Sequence, residues 1–221
     1  MKKSIPVLFA LALFFSCTAT GHPTVGPPQI KGLVPYAQRF KDGLAKDTLL
    51  PGNVYLHYFV STDTSDAGLY IRYGRPGFDS VYKETDGTPF NCSSWEYTYH
   101  TAGVIGMMYE CPAGRQLLLL PLNATDSIRM YDPLFVGVED SLLLVEGNAW
   151  GAGDRPVLVA ADLGFKRQKS FQLSYDLPSA NLLACFDTIY FRHRLVLQYE
   201  SGEAGPGLVT RTQEETLDWK K

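Results

Sequence analysis

Short runs of apolar residues, separated by turn residues, follow one another along most of the chain. The clearest alternation of apolar and polar residues runs from Trp95 to His100, where the large aromatic residues are Trp95, Tyr97 and Tyr99. A period of two places alternate side chains on opposite faces of an extended chain, so this pattern predicts a β-strand. We therefore expect Trp95, Tyr97 and Tyr99 to share one face of a strand.

Similar patterns predict strands through the rest of the chain, and one short helix is predicted at residues 36–46. Many short strands at a spacing of roughly 8–12 residues, with turn residues between them, indicate an all-β fold. The expected architecture is an antiparallel β-sandwich or barrel of many short strands. The predicted strands are 54–60, 69–73, 95–100, 104–110, 117–122, 127–131, 134–138, 141–146, 156–161, 168–174, 182–186, 188–199 with a break near Arg194, and 208–213.

Weak internal repeats support an alternative architecture. The pair Arg115-Gln116 recurs 52 residues later at Arg167-Gln168, and an Asp-Ser/Thr-aliphatic triplet recurs after 47 residues, at Asp79 and Asp126. These periods are similar to those of four-stranded propeller blades. A small propeller-like β array is therefore the alternative, although about 170 residues of β sequence make fewer than four such blades.

The N-terminus has a different pattern. Two lysines precede an apolar run at residues 5–15, and Ser16 and Cys17 follow this run. A basic start, a short apolar run and a small residue before a cleavage site are typical of a secretory signal peptide. The run is shorter than the ~20 apolar residues that a helix needs to cross a bilayer.

The end of this leader, Leu-Phe-Phe-Ser-Cys at residues 13–17, resembles the lipobox of bacterial lipoproteins. The resemblance implies that residues 1–17 are a lipoprotein signal peptide and that Cys17 carries acyl groups such as palmitate. Each buried CH₂ contributes ~0.8 kcal/mol, so several chains anchor a protein stably. Thr18, rather than an aspartate, follows Cys17, which in such lipoproteins favours the outer membrane, facing the periplasm. The alternative is a secreted protein, cut near Ala19 or Gly21.

Composition divides the remaining chain into a tether and a domain. Residues 18–35 are rich in proline and glycine and predict a tether, whereas residues 36–221 predict a single β-rich domain. Without Lys2 and Lys3 the 20 basic residues become 18, against 23 acidic residues, which gives a net charge of −5. The basic residues are scattered, so binding of nucleic acid is not predicted.

The cysteines and the sequence motifs add two expectations. Cys92 and Cys111 flank two predicted strands, and a disulfide between them would close a loop of about 20 residues, worth about 3 kcal/mol. Cys185 lies in an apolar run and is expected to be a buried thiol. The chain has no P-loop, dinucleotide fingerprint, Gly-x-Ser-x-Gly motif or closely spaced histidine pair, so neither a cofactor nor a metal site is predicted.

Aromatic residues are the best candidates for ligand binding. Trp150 lies within the glycine-rich residues 147–154, which offer few side chains to bury an indole. An exposed indole needs a partner surface, and sugar rings stack on flat aromatic faces. Trp150, Trp95, Tyr97 and Tyr99 are therefore the predicted ligand-binding residues. The other interpretation is that the strand aromatics are core and that Trp150 folds back as a lid.

Together these observations predict a membrane-tethered lipoprotein of the cell envelope with a binding or structural role. Its partners would be the membrane, through the lipid anchor, and a glycan or an envelope protein. No catalytic residue is predicted, and enzymatic activity is the less favoured interpretation. The alternative function is an envelope glycan hydrolase whose carboxylate pair the sequence does not identify. Two carboxylates roughly 5–10 Å apart in a cleft would favour that hydrolase.

Overall fold

A computed structural model describes residues 30–39, 46–63, 68–84, 95–111, 114–147, 155–179, 182–202 and 207–219. The described strands form four antiparallel sheets that follow one another along the chain. The predicted all-β architecture of many short antiparallel strands is confirmed. The described strands form open, stacked sheets of the sandwich type, and none of these sheets closes into a barrel.

Each sheet is built from strands that are consecutive or nearly consecutive in the chain. The first sheet has the order β1-β3-β4-β5, with β2 also paired to β3, and the later sheets are simple meanders. Two helices of four residues, α1 (Tyr36–Arg39) and α2 (Leu182–Cys185), connect strands. The first sheet contains β1 (Leu33–Pro35), β2 (Thr48–Leu50), β3 (Val54–Ser61), β4 (Leu69–Arg75) and β5 (Phe78–Lys83); the second β6 (Glu96–His100), β7 (Val104–Cys111), β8 (Gly114–Pro121) and β9 (Arg129–Tyr131); the third β10 (Pro133–Gly137), β11 (Leu142–Glu146), β12 (Val157–Asp162) and β13 (Gln168–Gln172); the fourth β14 (Phe186–Phe191), β15 (Leu195–Ser201) and β16 (Val209–Glu215).

The four sheets stack in chain order with three apolar layers between them, so the second and third sheets are buried on both faces. In β8, Leu118 packs towards the first sheet, whereas its neighbour Leu117 packs towards the third. In β11, Leu143 packs towards the second sheet and Leu144 towards the fourth. Uninterrupted apolar runs are typical of strands buried on both faces, which explains the leucine runs in β8 and β11.

The propeller-like alternative requires the row of sheets to close into a ring. Three clusters of buried apolar residues join the first sheet to the second, the second to the third, and the third to the fourth. Within the described residues, no such cluster joins the first sheet to the fourth. The sheets that the structure describes therefore form an open stack.

Four local features differ from the sequence-based expectations. Leu33–Pro35, within the predicted tether, form β1, in which Leu33 pairs with Ser61 of β3. Leu182–Cys185 form a helix rather than the start of a strand, because a short apolar run has no periodicity that separates the two structures. Phe78–Lys83 form β5 and Thr48–Leu50 form β2, and neither strand was predicted. The predicted break near Arg194 is confirmed, since it lies between β14 and β15.

Tyr99 connects the second sheet to the third by packing and by a hydrogen bond. Its side chain is 2 % exposed, and its hydroxyl donates a hydrogen bond of 3.0 Å to the carbonyl oxygen of Leu163. The ring lies directly over Gly106 of the neighbouring strand β7. A glycine is needed there because any larger residue would place its Cβ inside the ring's contact distance.

In the described part of the chain, no helix has both the length and the apolar character that a membrane-spanning helix requires.

Candidate functional site

A groove of about 630 Å³ lies between the second and third sheets. One wall comes from β6 and the hairpin formed by β7 and β8, and the other wall comes from β10. The lining combines aromatic, apolar and charged side chains, which is the usual composition of a ligand site. The groove is lined by Glu96, Tyr97, Thr98, Met108, Glu110, Arg115, Pro133, Leu134, Phe135 and Val136.

Both walls of the groove include the edge strand of a sheet. β6 is the edge of the second sheet, and β10 is the edge of the third. Each strand also has a shift in register, between Tyr97 and Tyr99 in β6 and between Pro133 and Phe135 in β10. Such bulges bend an edge strand and interrupt its ladder of backbone hydrogen bonds. They also change the direction of side chains, often beside binding sites.

The charged residues of the groove leave one carboxylate without a cation. Glu110 and Arg115 face each other across the β7–β8 hairpin, and Nε of Arg115 lies 3.0 Å from Oε1 of Glu110. Both side chains are more than half exposed, so this pair contributes little to stability. Among the described residues no cation pairs with the Glu96 carboxylate. Two carboxylates and one guanidinium give the described lining of the groove a net charge of −1.

The strand register explains how two distant glutamates come to share the groove. Glu96 of β6 lies opposite Met108 of β7, and Glu110 is two residues further along β7 on the same face. Diagonal neighbours of this kind have Cα atoms about 7–8 Å apart. No motif links positions 96 and 110, so the sequence alone did not identify the pair.

The predicted aromatic face of β6 is only partly present. Trp95 and Tyr99 are each 2 % exposed, but Trp95 packs between the first and second sheets and Tyr99 between the second and third. The expectation that Trp95, Tyr97 and Tyr99 share a face is therefore wrong. The cause is the bulge, because Tyr97 lies opposite Met107 whereas Tyr99 lies opposite Gly106, which leaves Thr98 as an extra residue.

Tyr97 is the one predicted aromatic of β6 that reaches the groove. It is 36 % exposed and lines the groove, and its hydroxyl lies 2.9 Å from Nδ1 of His100. Because of the bulge, residues 97 and 100 lie on the same face of the strand, so this contact fixes the direction of the phenol ring. Phe135 of β10, which the sequence reasoning missed, adds a second aromatic residue to the lining.

Most of the remaining predicted site residues are not among the residues that the structure describes. Cys17, Cys92 and Trp150, and the side chain of Cys111, are not among the described residues, so the lipidation site, the disulfide and the exposed indole remain predictions. Cys185 is buried, and burial raises the pKa of its thiol, which agrees with the expected inert role. Within the described ranges, no group of three His, Cys, Asp or Glu residues could hold a metal ion.

A second polar cluster lies on the outer face of the first sheet. Arg72 binds both carboxylate oxygens of Asp79, at 2.7 and 2.8 Å, and the Tyr55 hydroxyl donates to the same carboxylate at 2.5 Å. The bonds from Arg72 hold the pKa of Asp79 below its ordinary value. The Tyr55 phenol reaches Asp79 by crossing over Gly74. Because these groups satisfy one another across three strands, the cluster is a cross-strand network of the sheet.

No family model, no curated protein and no solved structure matches this chain.

Proposed function

We propose that this protein is a lipid-anchored binding protein of the bacterial cell envelope and that its groove binds a glycan. The groove supports this proposal because it brings Tyr97 and Phe135 together with Glu96, Glu110 and Arg115. A sugar ring has an apolar face that packs on an aromatic side chain, and its hydroxyl groups donate to carboxylates and accept from a guanidinium. Tyr97 and Glu96 are successive residues of the edge strand β6, so they line the groove from opposite faces of that strand.

The lipobox-like leader supports the envelope location. If Cys17 is acylated, the chain from residue 18 to the start of β1 at Leu33 forms the link between the membrane and the domain. Fifteen residues span at most roughly 50 Å when fully extended. The proposed anchor would therefore hold the start of β1 within roughly 50 Å of the membrane surface.

Replacing Cys17 by serine should abolish acylation and release the protein from membranes, because the lipid is attached through the cysteine sulfur. The native protein should fractionate with membranes, and mass spectrometry should find a mature N-terminal cysteine that carries acyl groups. A mature chain that begins after Cys17, or that carries no acyl mass, would contradict the anchor. The glycan site would be unaffected by that result.

Replacing Tyr97 by alanine should weaken glycan binding about tenfold or more, because an aromatic contact is lost at the groove while the core is unchanged. The probe is a neutral tetrasaccharide of N-acetylglucosamine, and its binding is measured by titration calorimetry. Tyr175→Ala is the matched control, since Tyr175 is 44 % exposed and lies outside the groove. Equal affinities in Tyr97→Ala and in the native protein would contradict the proposed site.

The second candidate function is the envelope glycan hydrolase. It is favoured by one observation, namely that Glu96 and Glu110 line the same groove as diagonal neighbours. Glycosidases use two carboxyl groups about 5–10 Å apart, one of which acts as the acid. The same tetrasaccharide separates the two functions. Hydrolysis that disappears in both Glu96→Gln and Glu110→Gln identifies an enzyme, whereas binding without hydrolysis identifies a binding protein.

A further inference from the structure

We infer that the groove prefers an uncharged saccharide over an anionic glycan, and that its edges do not bind an extended polypeptide by strand addition. This inference rests on the proposed function, because it specifies the ligand class of the same groove. Two observations carry it, the irregular edges of the groove and its charge.

The edges of the groove are unsuited to an extended peptide. A peptide that adds to a sheet needs a regular row of free backbone N–H and C=O groups along an edge strand. β6 is interrupted by the bulge between Tyr97 and Tyr99, and β10 by the shift between Pro133 and Phe135. Pro133 also has no N–H group to donate. Neither edge therefore offers an unbroken ladder, and recognition depends on side chains.

The charge of the groove disfavours anionic glycans. Arg115 lies in register with Glu110, and the guanidinium of Arg115 is paired with the carboxylate of Glu110. Glu96 then remains as the carboxylate without a cation among the described residues. A uronate or phosphate group bound beside Glu96 would place two negative charges within several ångströms of each other. At about 4 Å, and even in a water-like medium, that repulsion lowers affinity about fivefold.

An uncharged sugar meets no such repulsion. Its hydroxyl and N-acetyl N–H groups are donors, and an ionised carboxylate only accepts hydrogen bonds. Glu96 can therefore bind these donors without desolvating a second charge. The apolar side chains of Met108 and Val136 provide surface for the C–H face or the N-acetyl methyl group. The ligand that satisfies the whole lining is a neutral oligosaccharide.

The test compares two oligosaccharides of equal length on the full chain, in detergent if the chain is acylated. One is the neutral tetrasaccharide of N-acetylglucosamine, and the other is a tetrasaccharide of galacturonic acid. The native protein should bind the neutral compound at least about fivefold more tightly. In Glu96→Gln this preference should largely disappear, because uronate binding improves while the neutral ligand meets an uncharged amide with one acceptor oxygen instead of a carboxylate with two. The native preference should also shrink as salt is raised.

Glu214→Gln is the matched control, because Glu214 is an exposed glutamate of β16 that pairs with Arg194 and lies outside the groove. It should leave the preference unchanged. A native protein that binds the uronate as tightly as the neutral compound, or a preference that Glu96→Gln does not alter, would overturn the inference and leave glycan binding intact. Displacement of the saccharide by a strand-forming peptide would also overturn it. If neither oligosaccharide binds, the proposed glycan function fails, and the inference fails with it.

Discussion

Replacing Trp95 by alanine should lower the free energy of unfolding by about 3–5 kcal/mol, the usual cost of removing a buried aromatic side chain. The Trp95 indole is 2 % exposed, and its ring centroid lies 5.0 Å from that of Tyr109. It packs with Ile105 and Met107 in the layer between the first and second sheets. Alanine would leave a cavity there, because neighbouring strands cannot move together without breaking their hydrogen bonds.

Thermal unfolding measures this effect. For a domain of this size, 1 kcal/mol shifts the melting temperature by about 2–4 °C, so Trp95→Ala should lower it by roughly 6–20 °C. Tyr97→Ala is the control, because Tyr97 is two residues away but 36 % exposed, and it should change the melting temperature by only a few degrees. If Trp95→Ala melted like the native protein and bound the glycan more weakly, Trp95 would belong to the binding surface and not to the core.

Replacing Gly106 by alanine should lower the free energy of unfolding by about 1–3 kcal/mol, which is typical of a methyl group forced into a packed interior. Three ring atoms of Tyr99 lie within 2.8 Å of the position that the new Cβ would occupy. The ring cannot move away freely, because it is buried and its hydroxyl is bonded to the carbonyl of Leu163. The added methyl group would therefore separate the second sheet from the third or break that hydrogen bond.

A double-mutant cycle identifies the cause of this destabilisation. In a Tyr99→Ala background the ring is absent, so Gly106→Ala should add almost no further loss of stability. Gly103→Ala is the control, because the nearest contact of a Cβ there is the end of the flexible Lys166 side chain at 3.9 Å. An equal cost of Gly106→Ala with and without Tyr99 would mean that the loss comes from the backbone of β7 and not from the ring.

The sequence determined the class of the fold because strands are encoded locally. Period-two alternation and short apolar runs reflect the burial of neighbouring residues, and both can be read without knowing the partner strand. β3, β7, β11 and β12 therefore lie close to their predicted positions. The leucine runs in β8 and β11 also mark strands that are buried on both faces. The break near Arg194 could be predicted for the same reason.

Only the tertiary structure decided which face each aromatic residue occupies. The alternation from Trp95 to His100 predicts one aromatic face, but the bulge at Thr98 reverses the direction of Tyr99 and leaves Tyr97 at the groove. A bulge arises where a strand must fit both its partner strand and the sheets above and below it. That fit depends on residues far away in the chain, such as Leu163, whose carbonyl group binds the Tyr99 hydroxyl.

The groove could not be predicted from the sequence, for the same physical reason. Glu96 and Glu110 become neighbours through the register of β6 on β7, and Phe135 joins them because the third sheet stacks on the second. Register is set by the turn, by the bulge and by the packing of both faces, and none of these leaves a local pattern at the glutamates themselves. The leader at residues 1–17, in contrast, is a linear signal, so the sequence alone predicts the lipid anchor at Cys17.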